Sequence, residues 1–154
     1  MTTDPDDMVG WQRLGPEITT SGRLEAGDVA RLAALGVRQV INLALADSPG
    51  ALADEAELLS AAGMAYTHIP VPFAAPDEGH LAAFLAALEA GERPLHVHCI
   101  ANYRVSAFFY RHHRASCGMA EADARALMER HWRPEASDHA DMRAWAAFIA
   151  KGTG

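Results

Sequence analysis

Cysteine is scarce in this 154-residue chain: there are two, Cys99 and Cys117. A helix predicted between them puts them too far apart to bridge, since a disulfide needs α-carbons within about 7 Å. A disulfide framework is therefore excluded, and a chain of this size buries enough surface to fold without staple or metal. Two free thiols point to a reducing compartment and a cytoplasmic protein. Positive charge is also in deficit, with 13 Lys and Arg against 20 Asp and Glu for a net −7. That balance argues against nonspecific binding to nucleic acid or anionic membrane, so an anionic ligand must find a local positive site. No apolar run approaches the length of about 18 residues that a membrane span requires. The acidic opening Met1–Asp7 has no apolar core of a secretory signal. Repeats, low-complexity tracts and linkers are missing too. Half of the residues are hydrophobic and 21% are charged, which suits one compact domain over residues 13–152 behind a flexible lead-in at 1–12.

What is present is an alternation of strand-like and helix-like runs punctuated by glycine. Residues 16–22 read as a short edge strand or extended entry. Val29, Leu32, Ala33 and Leu35 have mostly helical spacing, and Gly36 offers a left-handed stop. Val37–Leu43 is β-branched and apolar, a buried strand. Ser48-Pro49 predicts a helix start, running to about Ala62 before Gly63. Tyr66–Val71 is the next strand, and a loop with Pro72, Phe73, Pro76, Asp77 and Glu78 follows. Leu81, Phe84, Leu85 and Leu88 mark an amphipathic helix ended by Gly91. Leu95–His98 is a third core strand, after which the texture is helical, with helices over about 103–114, around Leu127, Met128 and His131, and around Met142, Trp145 and Ile149. The expectation is a single three-layer α/β domain, with a mostly parallel central sheet flanked by helices and a helical C-terminal end. In such sheets the ligand lies beyond the carboxyl ends of the strands. The loops at 44–50, 71–79 and 99–103 should meet there, bringing Asp47, Asp77, Glu78, Cys99 and Arg104 to one crevice.

The segment His98-Cys-Ile-Ala-Asn-Tyr-Arg-Val-Ser106 concentrates chemistry. Cys99 falls between a buried strand and a helix N-terminus, whose unpaired N–H groups favour a thiolate. The same N–H groups form a nest for an anion, and Arg104 adds a planar fork suited to phosphate. The plainer alternative is a buried structural cysteine beside a solvated arginine.

On these residues the chain resembles the cysteine-dependent protein tyrosine and dual-specificity phosphatases, whose signature is His-Cys, five residues, Arg, then Ser or Thr. The resemblance is to a small bacterial phosphatase-like group. It begins near Ile18-Thr-Thr-Ser-Gly22 and continues through Val40-Ile-Asn-Leu43 and Tyr66-Thr-His-Ile-Pro70 to His98-Cys99, covering about residues 14–115. It implies a phosphatase-like α/β fold with the catalytic loop between a central strand and a helix. It also implies Cys99 as nucleophile, Ile100, Ala101, Asn102, Tyr103 and Arg104 as the phosphate cradle, and Ser106 as a partner for the departing thiolate. His98 orients the loop from behind. The spacing departs from the signature: four residues, not five, separate Cys99 from Arg104. Asn102 takes the usual glycine position and is the best non-glycine residue for a left-handed turn. Val105 stands where the family has arginine. A loop of six residues beginning with cysteine is typical of rhodanese-like sulfurtransferases, so a Cys99 persulfide carrier and a weakly catalytic phosphate-binding module stay beside the phosphatase reading.

A phosphatase of this kind needs a general acid for the leaving oxygen. Asp77 is the choice, with helix capping as its other reading; Glu78 and Asp47 are reserves. Ser106 is equally a residue of an ordinary first helical turn. His96 shares the face of His98, and with no third ligand apparent both read as structural rather than metal-binding. The run Arg111-His-His-Arg114 reads as a solvated basic helix end, Trp132 and Trp145 as core, and Cys117 as incidental. The expected substrate is a phosphorylated protein or small phosphate ester, with no metal or organic cofactor.

Overall fold

The structure, a computed structural model, describes residues 4–153. Among the described residues, five strands form one sheet in the order β1-β2-β5-β3-β4: Gln12–Gly15, Ile18–Ser21, Leu95–His98, Gln39–Asn42 and Ala65–His68 respectively. β1 and β2 are antiparallel, and every other pair is parallel. The helices among the described residues are, in chain order, α1 Ala26–Ala34, α2 Glu55–Ala61, α3 Glu78–Ala90, α4 Tyr103–Ala115, α5 Glu121–Glu129 and α6 Ala140–Ala150. A 3₁₀ turn at Pro134–Ala136 precedes α6.

Side-chain alternation along β5 divides the molecule into layers. Leu95, Val97 and then Cys99 join Phe84, Val105, Phe108, Met128 and Trp145 in the larger core, on the face covered by α3 to α6. The opposite face carries Val40 with Leu24, Val29, Leu32 and Leu59 beneath α1 and α2. His96 and His98 belong to that second face, where His96 stacks on Trp11 at 5.5 Å. This is the three-layer α/β domain that the alternation of elements predicted.

Three local expectations are corrected. The strand read at 16–22 is not an edge. It lies inside the sheet as β2, because Gln12–Gly15 supplies a further strand outside it. The helix read from Ser48 begins only at Glu55. Ser48-Pro49 makes a turn instead, closed by Ala51 N–H to Ser48 O at 3.0 Å, and left-handed Gly50 and Asp54 interrupt any helix there. The basic end of α4 is not solvated. Arg111 is bidentate to Glu78 of α3 and reaches Phe148 O of α6, Arg114 donates to Gly152 O, and His113 is buried. Charge there ties helices together.

Residues 4–12 carry contacts of their own. Asp4 pairs with Arg13 and Asp7 with Arg31, Met8 is buried, and Val9 O accepts from Gly22 N–H.

Candidate active site

The site begins where β5 ends. Cys99 N–H reaches Ser21 O at 3.4 Å and Arg23 N–H reaches Ile100 O at 2.8 Å, so the loop leaves the sheet along β2. Gly22 makes that approach feasible. A Cβ there would stand 2.5 Å from Ile100 O and 2.8 Å from a Val9 methyl, closer than packing permits. Asn102 then turns the chain into α4 with φ at 66°, the left-handed role its residue type suggested. Its Nδ2 donates to Gly10 O at 2.7 Å and to Thr20 Oγ1 at 3.0 Å. No backbone carbonyl among the described residues accepts from the N–H groups of Ile100, Ala101 or Asn102. With the first turn of α4, these are the donors an oxyanion seeks at a helix start.

Cys99 itself is 1% exposed and packs within the larger core, while Arg104 is 6% exposed. The arginine is therefore no solvated side chain at a helix start. Its Nη1 donates to Val71 O at 2.9 Å, and the guanidinium carbon lies 5.7 Å from the Phe73 ring centroid. Phe73 is tied down in turn, because Trp145 Nε1 donates to its carbonyl at 2.6 Å. The segment after β4 is thus bound to both α4 and α6. Tyr103 stacks on Trp132 at 4.6 Å, and Trp132 and Trp145 are core residues as read.

Behind the loop stands a pair that sequence reasoning missed. His98 Nε2 lies 2.8 Å from Glu55 Oε2, with both side chains buried, and His98 Nδ1 lies 3.1 Å from Cys99 O. A carbonyl can only accept, so Nδ1 carries a proton and Nε2 shares one with Glu55. Through the imidazole, α2 holds the first carbonyl of the loop. His96 is satisfied differently. Ser21 gives its one hydroxyl proton to Gly22 O, so its Oγ accepts from His96 Nε2, and Thr19 donates to Nδ1, each at 2.8 Å. Burial, then the neighbouring His98, pushes the His96 pKa well below its ordinary value and keeps it neutral.

The remaining candidates separate. Asp77 caps α3, with Oδ1 accepting from His80 N–H at 2.8 Å, and its side chain is 64% exposed. Glu78 is joined to Arg111 at 2.7 Å and lies 3.8 Å from Lys151; the Arg111 guanidinium holds its carboxyl below the usual range. Asp47 is exposed. Ser106 donates to Tyr103 O at 3.1 Å, and Cys117 Sγ lies 3.5 Å from His112 Nε2. Among the described residues no group of His, Cys, Asp and Glu is arranged to hold a metal ion, and no helix is long and apolar enough to cross a membrane.

A mostly parallel sheet whose central strand delivers a cysteine-led loop to a helix N-terminus is a fold that this chain shares with solved phosphatase structures. Within it, the chain belongs to the family described as beta-lactamase hydrolase-like protein, phosphatase-like domain, whose profile matches residues 11–128. A phosphatase candidate from Shewanella putrefaciens is 28% identical with a TM-score of 0.79, over 96% of this chain and 93% of that one. TpbA of P. aeruginosa, solved with phosphotyrosine, is 22% identical with a TM-score of 0.72, over 97% and 86%. The phosphatase Tk-PTP is 18% identical with a TM-score of 0.74, over 94% of each chain. No protein of curated function matches this chain in sequence.

Proposed function

We propose that the protein is a cysteine-dependent hydrolase of phosphate monoesters, acting on a phosphorylated protein or a small phosphate ester. The observation that carries this reading is the loop from Cys99 to Arg104, with unpartnered backbone donors between the end of β5 and the start of α4. The Cys99 thiolate attacks phosphorus in line, the bond to the leaving oxygen breaks, and a phosphocysteine forms. N–H groups of Ile100, Ala101, Asn102, Tyr103 and Arg104 stabilise the equatorial oxygens. One guanidinium N–H of Arg104 is held by Val71 O, and the remaining donors of its fork serve the phosphoryl group. Asp77 protonates the leaving oxygen through Oδ2, since its cap uses Oδ1. As a carboxylate it then takes a proton from the water that releases phosphate and restores the thiolate. Ser106 assists the departing sulfur. Both cysteines are free thiols, which suits the reducing cytoplasm to which the proposal assigns the activity.

One observation favours a second reading. The Cys99–Arg104 spacing is one residue short of the phosphatase signature, and the guanidinium is engaged by Val71 O and Phe73. A smaller nest suits a sulfur anion, which would make Cys99 a persulfide carrier.

Hydrolysis of an aryl phosphate between about pH 5 and 7 tests the first reading, since general acid and thiolate must be ready together. Turnover is expected in the natural protein and absent in Cys99→Ser. Arg104→Ala should lower kcat/KM on the order of 100-fold. Activity that survives Cys99→Ser rejects the mechanism. A folded, reduced protein without turnover that gains about 32 Da at Cys99 from thiosulfate, the mass of one sulfur, supports the second reading. Phosphopeptide binding without turnover or sulfur uptake would identify a phosphate-reading module.

A further inference from the structure

Arg23 differs from the other arginines that are at least partly buried. Arg104, Arg111, Arg114 and Arg125 each donate to an oxygen, at Val71 O, Glu78, Gly152 O and Glu121 respectively. The Arg23 guanidinium is also half-buried, yet it has neither hydrogen bond nor ion pair among the described residues. A cation that gives up part of its water without gaining an acceptor is costly. Arg23 follows β2, and its backbone N–H donates to Ile100 O of the Cys99 loop at 2.8 Å. Its side chain runs along the loop that leaves β3. A Cβ at Gly50 would stand 3.0 Å from Arg23 Cδ, 3.8 Å from its Nε and 4.0 Å from Ile100 Cγ2. Arg23, Ile100 and Gly50 thus meet where the parallel neighbours β2, β5 and β3 end. Ligands of open parallel sheets lie at that edge.

The two guanidinium groups beside the loop have different places. Arg104 is held at Val71 O and over Phe73, with its remaining donors turned to the phosphoryl group. Arg23 meets Ile100 from its carbonyl side, whereas N–H groups form the nest. Its side chain therefore belongs to the rim of the cradle and serves a group beyond the phosphoryl oxygens. A planar fork with free N–H donors fits a carboxylate or a second phosphate. In a chain of net charge −7 such a group needs a local cation. We propose that Arg23 is a specificity-determining residue that binds a second oxyanion. The preferred substrate is then a phosphate ester that carries a further carboxylate or phosphate near the ester bond. The turnover rests on the phosphatase reading; the simultaneous binding of two oxyanions does not.

The test compares phenyl phosphate, meta-carboxyphenyl phosphate and meta-phenylene bisphosphate as substrates. At least one of the two esters with a second oxyanion should show a kcat/KM about tenfold above that of phenyl phosphate. Which of them does so separates carboxylate from phosphate as the second group. Arg23→Gln removes the charge and should abolish the preference, while Arg23→Lys, a point charge without the fork, should keep part of it. Equal kcat/KM for all three esters in the natural protein overturns the proposal. So does a preference that survives in folded Arg23→Gln, or an equal fall for all three, which would make Arg23 a support of the loop alone. Pyrophosphate should also shield Arg23 of the natural chain from phenylglyoxal, read by mass at that residue, a result that needs no variant to fold. Modification at an unchanged rate overturns the assignment. A natural protein that turns over none of the esters rejects the phosphatase reading, and calorimetric titration of Cys99→Ser then decides for Arg23. Pyrophosphate should bind about tenfold more tightly than inorganic phosphate, and adding Arg23→Gln should erase that margin. A margin that remains, or none at the start, overturns the second oxyanion site.

Discussion

Glu55 shows how much of a reactive loop is set by a residue outside it. Its carboxylate meets His98 across 43 positions of sequence, and His98 holds the carbonyl of Cys99. Glu55→Ala would leave a buried imidazole without its partner. Breaking such a pair costs about 3–5 kcal/mol, so urea unfolding should show a loss of that order, with a smaller loss for Glu55→Gln, which keeps an oxygen acceptor. A stability unchanged in Glu55→Ala would mean that water replaces the carboxylate. Glu55 could not be read from the chain because a glutamate in a predicted helix looks like any solvated one. Only the packing of α2 over β5 brings it to His98. Asn102 was legible because its backbone requirement is local: a left-handed residue at the mouth of a helix favours asparagine whatever surrounds it.

Elements constrain the site through close approach. β2 and the Cys99 loop run so near each other at Gly22 that a methyl group would meet Ile100 O and Val9. Gly22→Ala should therefore cost about 1–3 kcal/mol by overpacking and slow the chemistry of Cys99 as well, since the loop must shift. Gly27 is the control. It lies exposed in the first turn of α1, and a Cβ there meets nothing within 4 Å. Gly27→Ala should raise stability by about 0.5–1 kcal/mol through helix propensity and leave Cys99 reactivity unchanged. Denaturation curves of the pair, with alkylation rates, separate backbone crowding from a general intolerance of alanine. The same scale explains where sequence reading succeeds and fails. Apolar runs such as Val37–Leu43 and the i, i+3, i+4, i+7 pattern at Leu81–Leu88 announce β3 and α3, since burial alone makes them. Gln12–Gly15 has no such pattern. It becomes a strand because β2 offers it a partner, and its one long apolar side chain, Leu14, only packs against the core. Ser48-Pro49 carries helix-start chemistry, yet the backbone at Gly50 and Asp54 delays α2 by several residues.

At the scale of the whole molecule, acid should unfold this protein through its histidines before its carboxylates. Burial holds His113 and His131 at about 4, against an ordinary value of 6.5, and lowers His96 as well. Each of these folded-state values lies below that of the unfolded chain. Between about pH 6.5 and 4 the unfolded chain therefore binds protons that the folded one refuses. The stability these groups contribute is whole above pH 6.5 and declines as pH falls. The urea midpoint at pH 5 should be lower than at pH 7, and an equal or higher midpoint would show that the rings gain partners on protonation. Replacing His113 by Gln should flatten part of that decline.

The sheet order has a temporal side. β5 is the last strand made, and it fills the gap between β2 and β3; Thr19 meets His96 across 77 residues. Until Leu95–His98 has been synthesised, two halves of a sheet wait with facing edges open, the kind of exposure that invites pairing with the wrong chain. The strand that closes them is the one that leads into Cys99. Completion of the fold and assembly of the reactive loop are thus one late event, and a nascent chain has no reactive cysteine site before it has a closed sheet.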